Sequence, residues 1–187
     1  MVRELMRAAL SVLVLSVLCG LAYPLVITGL SRLCFPEKAG GSLITYDGRV
    51  TGSALLGQRF ETRRYFHGRP SATNYDGSNS GGTNFGPSNG KFVEEVAARV
   101  AKTRGENRLG PKGPVPSDLV LSSGSGLDPD ISLDAAMVQV ARVARERRLP
   151  EGDLGRLVQT SAEGSSWGGP ARVNVLKLNL ALEGLGH

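Results

Sequence analysis

Two stretches of this 187-residue chain carry residue types that can do chemistry. Ser122 to Ser132 reads "SSGSGLDPDIS", joining small residues of the kind that cradle a phosphate to two acids suited to catalysis or a cation. His67, within "RRYFHGRPSATNYDG", is the one internal histidine, the other being the terminal His187. A Walker loop requires Gly-x-x-x-x-Gly spacing and a Gly-Lys-Ser/Thr ending, and "SGSGLDPD" has neither. Asp128 and Asp130 provide two calcium-binding acids, but the EF-hand spacing fails beyond them. A Ser-His-Asp hydrolase would rest on His67 alone, without a nucleophile-elbow sequence. Ligands for a transition metal are not clustered.

A turn accounts for every residue of the Ser122–Ser132 stretch. The glycines allow positive φ, Asp128 bonds the local backbone, Pro129 fixes φ and Ser132 caps a helix. Direct ligand contact is the competing reading. "SGGTNFGPSN", Ser80 to Asn89, divides the same way between an anion-binding nest of amides and a loop that docks on a partner.

The elements that must position these residues begin with an apolar one. Ala8 to Leu30 contains no charge over 23 residues, and as a helix it reaches about 34 Å, enough to cross a bilayer. It is too long for a signal-peptide core, and Leu18 precedes Cys19 where a lipoprotein site wants a small residue. An uncleaved anchor over residues 1–34 is therefore expected, with Pro24 as a point of kinking. The short basic N-terminus, with Arg3 and Arg7, favours a cytoplasmic start and an extracytoplasmic remainder.

Residues 35–187 read as a single mixed α/β (α+β) soluble domain. "GSLITYDGRVTGSALLGQRF" predicts a hairpin about Asp47-Gly48. The Gly/Asn/Ser-rich stretch 65–89 has no periodicity, and a loop of that length is often functional. Asn89 is positioned to cap a helix with a Phe92, Val93, Val96, Val100 stripe. Thr103 to Pro116 reads as a Pro/Gly-rich connection and "DLVLSS" as a short buried strand. Ser132 caps a second helix, with Asp134 in its first turn and Leu133, Met137, Val140 and Ala144 recurring. Pro150 opens a third, with Leu154, Leu157 and Val158 inward. At the end, Val173 and Val175 alternate like a strand while Leu176 to Leu182 fits a helix packing on the domain, and periodicity alone does not decide between them.

Composition sets further limits. Hydrophobic residues are 41% and charged residues 21%, a globular balance. The net charge of +5 and pI near 9.6 invite nucleic acid, but no nucleic-acid-binding signature accompanies them. The densest basic group, Arg142, Arg145, Arg147 and Arg148, reads as a solvated helix face interrupted by Glu146. Only Cys19 and Cys34 are present, which excludes a disulfide scaffold and a Cys-rich metal site.

The pieces in order, "YPLVITGL", "FPEKAGGSLI", "GSALLGQRF", "YFHGRPSATNYD", "SGGTNFGPSN", "VPSDLVLSSGSGLDPDIS", "AAMVQVARVA" and "RVNVLKLNLAL", resemble the KdpC family, the C subunit of the bacterial Kdp potassium-transporting P-type ATPase. The resemblance runs through nearly the whole chain. It implies a non-catalytic accessory subunit in the inner membrane, supporting assembly and acting as a catalytic chaperone that raises the ATP affinity of the hydrolysing subunit. Implied partners are a channel-like potassium-binding subunit, the ATP-hydrolysing subunit, a small stabilising peptide and membrane lipid. ATP is the one cofactor implied. Were this chain to touch it, the glycine-rich loops would supply Ser80, Gly81, Gly82, Ser123, Gly124 and Gly126, although an extracytoplasmic domain meets little ATP. The alternatives are a membrane-tethered nucleotide-binding regulator and an anchored extracytoplasmic hydrolase.

Overall fold

The computed structural model describes residues 1–164 and 168–185. Two compact units divide the chain, Met1–Leu43 and Ile44–His187.

The first unit is dominated by one long apolar helix, Val2–Cys34. It runs as α1 (Val2–Val17), a π-helical turn (Leu18–Ala22) and α2 (Tyr23–Cys34), and its side chains are exposed along nearly all of its length. The kink expected at Pro24 is thus expressed as a widened turn just before the proline. A one-turn helix, α3 (Pro36–Ala39), follows.

The second unit begins with the hairpin, β1 (Leu43–Tyr46) and β2 (Arg49–Ser53). Its two turn residues, Asp47 at φ 52° and Gly48 at φ 74°, take the left-handed conformation that a tight hairpin requires. The following stretch, through Asn89, has no helix or strand. Asn89 then caps α4 (Gly90–Asn107), its side chain accepting from the Phe92 amide at 3.1 Å. This helix continues through what reads in sequence as a connection. Gly105 alone does not stop it, and it ends only where Arg108 turns left-handed ahead of Gly110 and Pro111. Of its apolar stripe, Val93 is exposed.

"DLVLSS" is not a strand. Ser117–Leu119 form a 3-10 turn, and Asp118 leaves that turn to accept the Ser132 amide at 2.8 Å. β3 (Asp130–Ser132) lies one motif later and pairs antiparallel with β5 (Arg172–Asn174), which also pairs with β4 (Ala162–Glu163). Ile131 faces Val173 across the ladder. α5 (Leu133–Arg147) starts on Ser132, whose hydroxyl accepts from the Ala135 amide at 3.2 Å. α6 (Glu151–Thr160) follows Pro150, and α7 (Val175–Gly184) follows β5 directly, so the C-terminal region is both a short strand and a helix.

One core holds these elements together: Ala135, Ala136, Val140, Val143 and Ala144 of α5, Leu154 and Val158 of α6, Leu178 and Leu182 of α7, and Ile131 and Val173 of the sheet. Met137, expected inward, is exposed. The inward face of α5 carries alanines and valines because α6 packs closely on it. Phe66, from the long loop, is also fully buried in this cluster.

Candidate functional site

A lone phenylalanine does not anchor a loop, because its backbone would enter the core with unpaired polar groups. Here helix side chains supply the pairs. Asn179 of α7 accepts from the Phe66 amide at 2.9 Å and donates to the Phe66 carbonyl at 3.0 Å. Gln139 of α5 does the same for His67, accepting its amide at 2.8 Å and donating to its carbonyl at 3.1 Å. Two carboxamides thereby take the place of a neighbouring strand.

Arginines hold the residues just before. Arg142 donates to the carbonyls of Arg63 (2.6 Å) and Tyr65 (3.0 Å), to Asn107 Oδ1 (3.0 Å) and to Gln139 Oε1 (2.7 Å). It is 1% exposed and has no ion pair among the described residues, so burial lowers its pKa to about 10. Arg147 donates to the Arg64 carbonyl at 2.9 Å, grips Glu183 with both terminal nitrogens (3.1 and 2.5 Å) and lies 4.7 Å from the Tyr65 ring centroid. The Tyr65 hydroxyl completes the cluster by donating to Glu183 at 2.6 Å. Every residue from Arg63 to His67 is therefore bonded to a side chain of α5 or α7. The basic group read as a solvated face divides: Arg145 and Arg148 are exposed, whereas Arg142 and Arg147 face inward.

Farther along, the two candidate glycine-rich loops meet each other. The amide of Gly81 and the hydroxyl of Ser80 both donate to the Ser125 carbonyl, at 2.8 and 3.1 Å. A Cβ on Gly82 would lie 3.1 Å from the Gly124 carbonyl. Gly126 has φ +69°, its amide donates to the Ser123 carbonyl at 3.4 Å, and Ser123 is buried. Gly124 alone borders open space. Ser71 donates to the Gly126 carbonyl at 2.7 Å and accepts from the amides of Thr73 and Tyr75. Arg69 ties the same loops, donating to Asp128 at 3.0 Å and to the Ser122 carbonyl at 3.4 Å. The second oxygen of Asp128 accepts the Asp130 amide at 3.0 Å, and Asp130 accepts from Asn174 at 3.1 Å. The acids of the motif thus serve the turn and its neighbours.

Between the anchored loop and α4 lies a cleft of about 320 Å³, lined among others by His67, Arg69, Tyr75, Lys102, Glu106 and Gln139. On its rim Asn74 and Tyr75 sit consecutively in the left-handed region, at φ 54° and 58°. The His67 Nε2 lies 3.0 Å from the Thr62 carbonyl. A carbonyl only accepts, so this nitrogen carries the proton and Nδ1 faces Glu106 at 3.9 Å. Burial, with Arg142 nearby, lowers the His67 pKa. The cleft's Ser71 already makes the three bonds given above, and among the described residues no serine hydroxyl bonds to His67. His187 lies outside the described residues. Among the described residues no group of His, Cys, Asp or Glu is arranged to hold a metal.

The polar residues that matter most, Gln139, Arg142 and Asn179, were missed, Arg142 being read as part of a solvated face; the signal that could have found them is that each interrupts an apolar helical stripe. Nothing in their spacing named the loop they hold.

Comparison with known proteins fits this framework. The family model described as the c chain of the K+-transporting ATPase matches residues 5–184. The "Potassium-transporting ATPase KdpC subunit" of Rhodopseudomonas palustris (strain BisB5) is 48% identical over 98% of both chains. That of Methylobacterium nodulans is 50% identical over 91% of this chain and 92% of its own. That of Bradyrhizobium diazoefficiens is 47% identical over 98% of both. The chain belongs to the KdpC family of potassium-transporting ATPase subunits.

Proposed function

We propose that this chain is a non-catalytic subunit that helps assemble the pump and raises the ATP affinity of the hydrolysing subunit through contacts, without chemistry of its own. The observation that carries this is the apolar helix Val2–Cys34, none of whose most hydrophobic window is buried against the chain itself. A surface of that kind is covered by lipid and by other membrane helices. The partners are the channel-like potassium-binding subunit, the ATP-hydrolysing subunit and the small stabilising peptide.

In this reading the soluble domain lies on the extracytoplasmic side of the inner membrane, an orientation that Arg3 and Arg7 ahead of the span support. ATP therefore acts on the hydrolysing subunit and not at Ser80–Gly82 or Ser123–Gly126. Two amides of those loops, at Gly81 and Gly126, are already engaged by carbonyls, which supports a role in displaying a shaped surface to a partner. In the same way, the bonds that hold Ser71 and His67 support the absence of a hydrolase.

The test is potassium-limited growth and co-purification after deletion of Met1–Leu33. The deleted chain should be made and should fail in both. Full potassium uptake by the truncated chain would overturn the proposal.

A further inference from the structure

The middle of the membrane helix contains a hydrogen-bonding defect that no other described residue repairs. In a regular α-helix the Tyr23 amide would donate to the Cys19 carbonyl. Here it reaches back to the Leu18 carbonyl, closing the π-turn Leu18–Ala22. The next residue, Pro24, has no amide hydrogen. The Cys19 carbonyl therefore has no donor at the fourth or the fifth residue ahead, and the Gly20 carbonyl loses the donor that position 24 would have supplied. No side chain among the described residues donates to either.

The position makes this defect costly. Cys19 is the middle residue of the uncharged run Ala8–Leu30, so its carbonyl lies at mid-membrane depth. Water is absent there, and an unsatisfied backbone group is strongly disfavoured. The surface around it is open: Leu18, Leu21 and Tyr23 are exposed, and a Cβ on Gly20 would meet nothing within 4 Å. Turns of this kind recur at functional positions in helices.

We propose that this notch, centred on the Cys19 carbonyl with Gly20 beside it, docks a membrane-spanning helix of a partner subunit, which donates a side-chain hydrogen bond from a hydroxyl or amide at mid-membrane depth. The missing side chain at Gly20 lets the partner backbone approach closely. A second copy of this chain is a poorer occupant. In parallel register its nearest hydroxyls, on Ser16 and Tyr23, fall about 4.5 and 6 Å along the axis from the carbonyl. The inference rests on the assembly reading above and identifies the contact through which assembly proceeds.

The test uses the intact complex purified from membranes. A photo-crosslinking benzoylphenylalanine replaces Tyr23, on the notch side, or Leu21, about 200° round the helix. Capture of a membrane-embedded subunit from position 23 and of lipid from position 21 is expected. Pro24→Ala restores the missing amide and should weaken retention of the chain in the complex by roughly 3- to 20-fold. Crosslinks from position 23 only to lipid or to a second copy, or undiminished retention of Pro24→Ala, overturn the inference while leaving the assembly reading intact. Failure of the unsubstituted chain to co-purify refutes the assembly reading and the notch with it.

Discussion

Asn179→Leu isolates the device that anchors the long loop. Leucine has the same branched heavy-atom skeleton as asparagine, with methyl groups in place of the amide oxygen and nitrogen, so the shape of the side chain is kept although its bulk is greater. What is lost is both hydrogen bonds to Phe66, at 2.9 and 3.0 Å, at a site where Asn179 is 2% exposed and Phe66 is fully buried. Each orphaned backbone group costs about 1–3 kcal/mol. Taking the lower half of that range, because the adjoining loop can admit some water, the loss is about 3 kcal/mol. For a unit of this size that corresponds to a fall in Tm of roughly 10 °C. Thermal unfolding of the full chain in detergent, followed by calorimetry, measures it. Hydrogen exchange at the Phe66 and His67 amides should accelerate together, because Gln139 and Arg142 hold the same short segment. A change under about 2 °C, with exchange at Phe66 unaltered, would refute the claim that the carboxamide substitutes for a strand.

Further predictions follow from the same contacts. Gly126→Ala should destabilise by about 1–3 kcal/mol, because the residue has φ +69° and a Cβ would lie 2.7 Å from Thr73 Oγ1 and 2.8 Å from the Gly81 carbonyl; Gly124→Ala, facing open space, should be silent in the same melts. Arg142→Met removes a buried charge but leaves the Arg63 and Tyr65 carbonyls and Asn107 Oδ1 without their donor, so a net loss of about 2–4 kcal/mol in chemical denaturation is expected. Arg147 and Tyr65 lower the Glu183 pKa from 4.5 to about 2. A depressed carboxyl pKa contributes stability above the unfolded value that is lost as pH falls through the folded one. Stability should therefore decline between about pH 4.5 and 2, and Glu183→Gln should make that part of the profile shallower.

Several elements were legible in the sequence because local chemistry dictates them. Asp47-Gly48 specifies a hairpin, Asn89 and Ser132 cap helices, and an uncharged run of 23 residues has little choice but to form an apolar helix. Tertiary context decided the others. "DLVLSS" has strand composition, yet the Asp118 carboxylate is needed at the Ser132 amide, and a 3-10 turn delivers it. Helix α4 runs through Gly105 because Thr103 and Asn107 are buried on its inner face. Charge counting placed Arg142 and Arg147 with their exposed neighbours, since a sequence does not reveal that a distant loop carries free carbonyls for them. The meeting of Ser80–Gly82 with Ser123–Gly126 was equally hidden. Each loop was recognisable as special, but their pairing is a long-range contact that composition does not encode.

In the proposed function the domain lies away from cytoplasmic ATP and works through its partners. Ser125→Cys, in a chain with Cys19 and Cys34 replaced by serine, puts one thiol on the exposed tip of the paired loops. A membrane-impermeant thiol reagent applied to cells with a permeable outer envelope and an intact inner membrane should label it. Labelling only after the inner membrane is broken would contradict the claim and return the glycine-rich loops to direct contact with nucleotide.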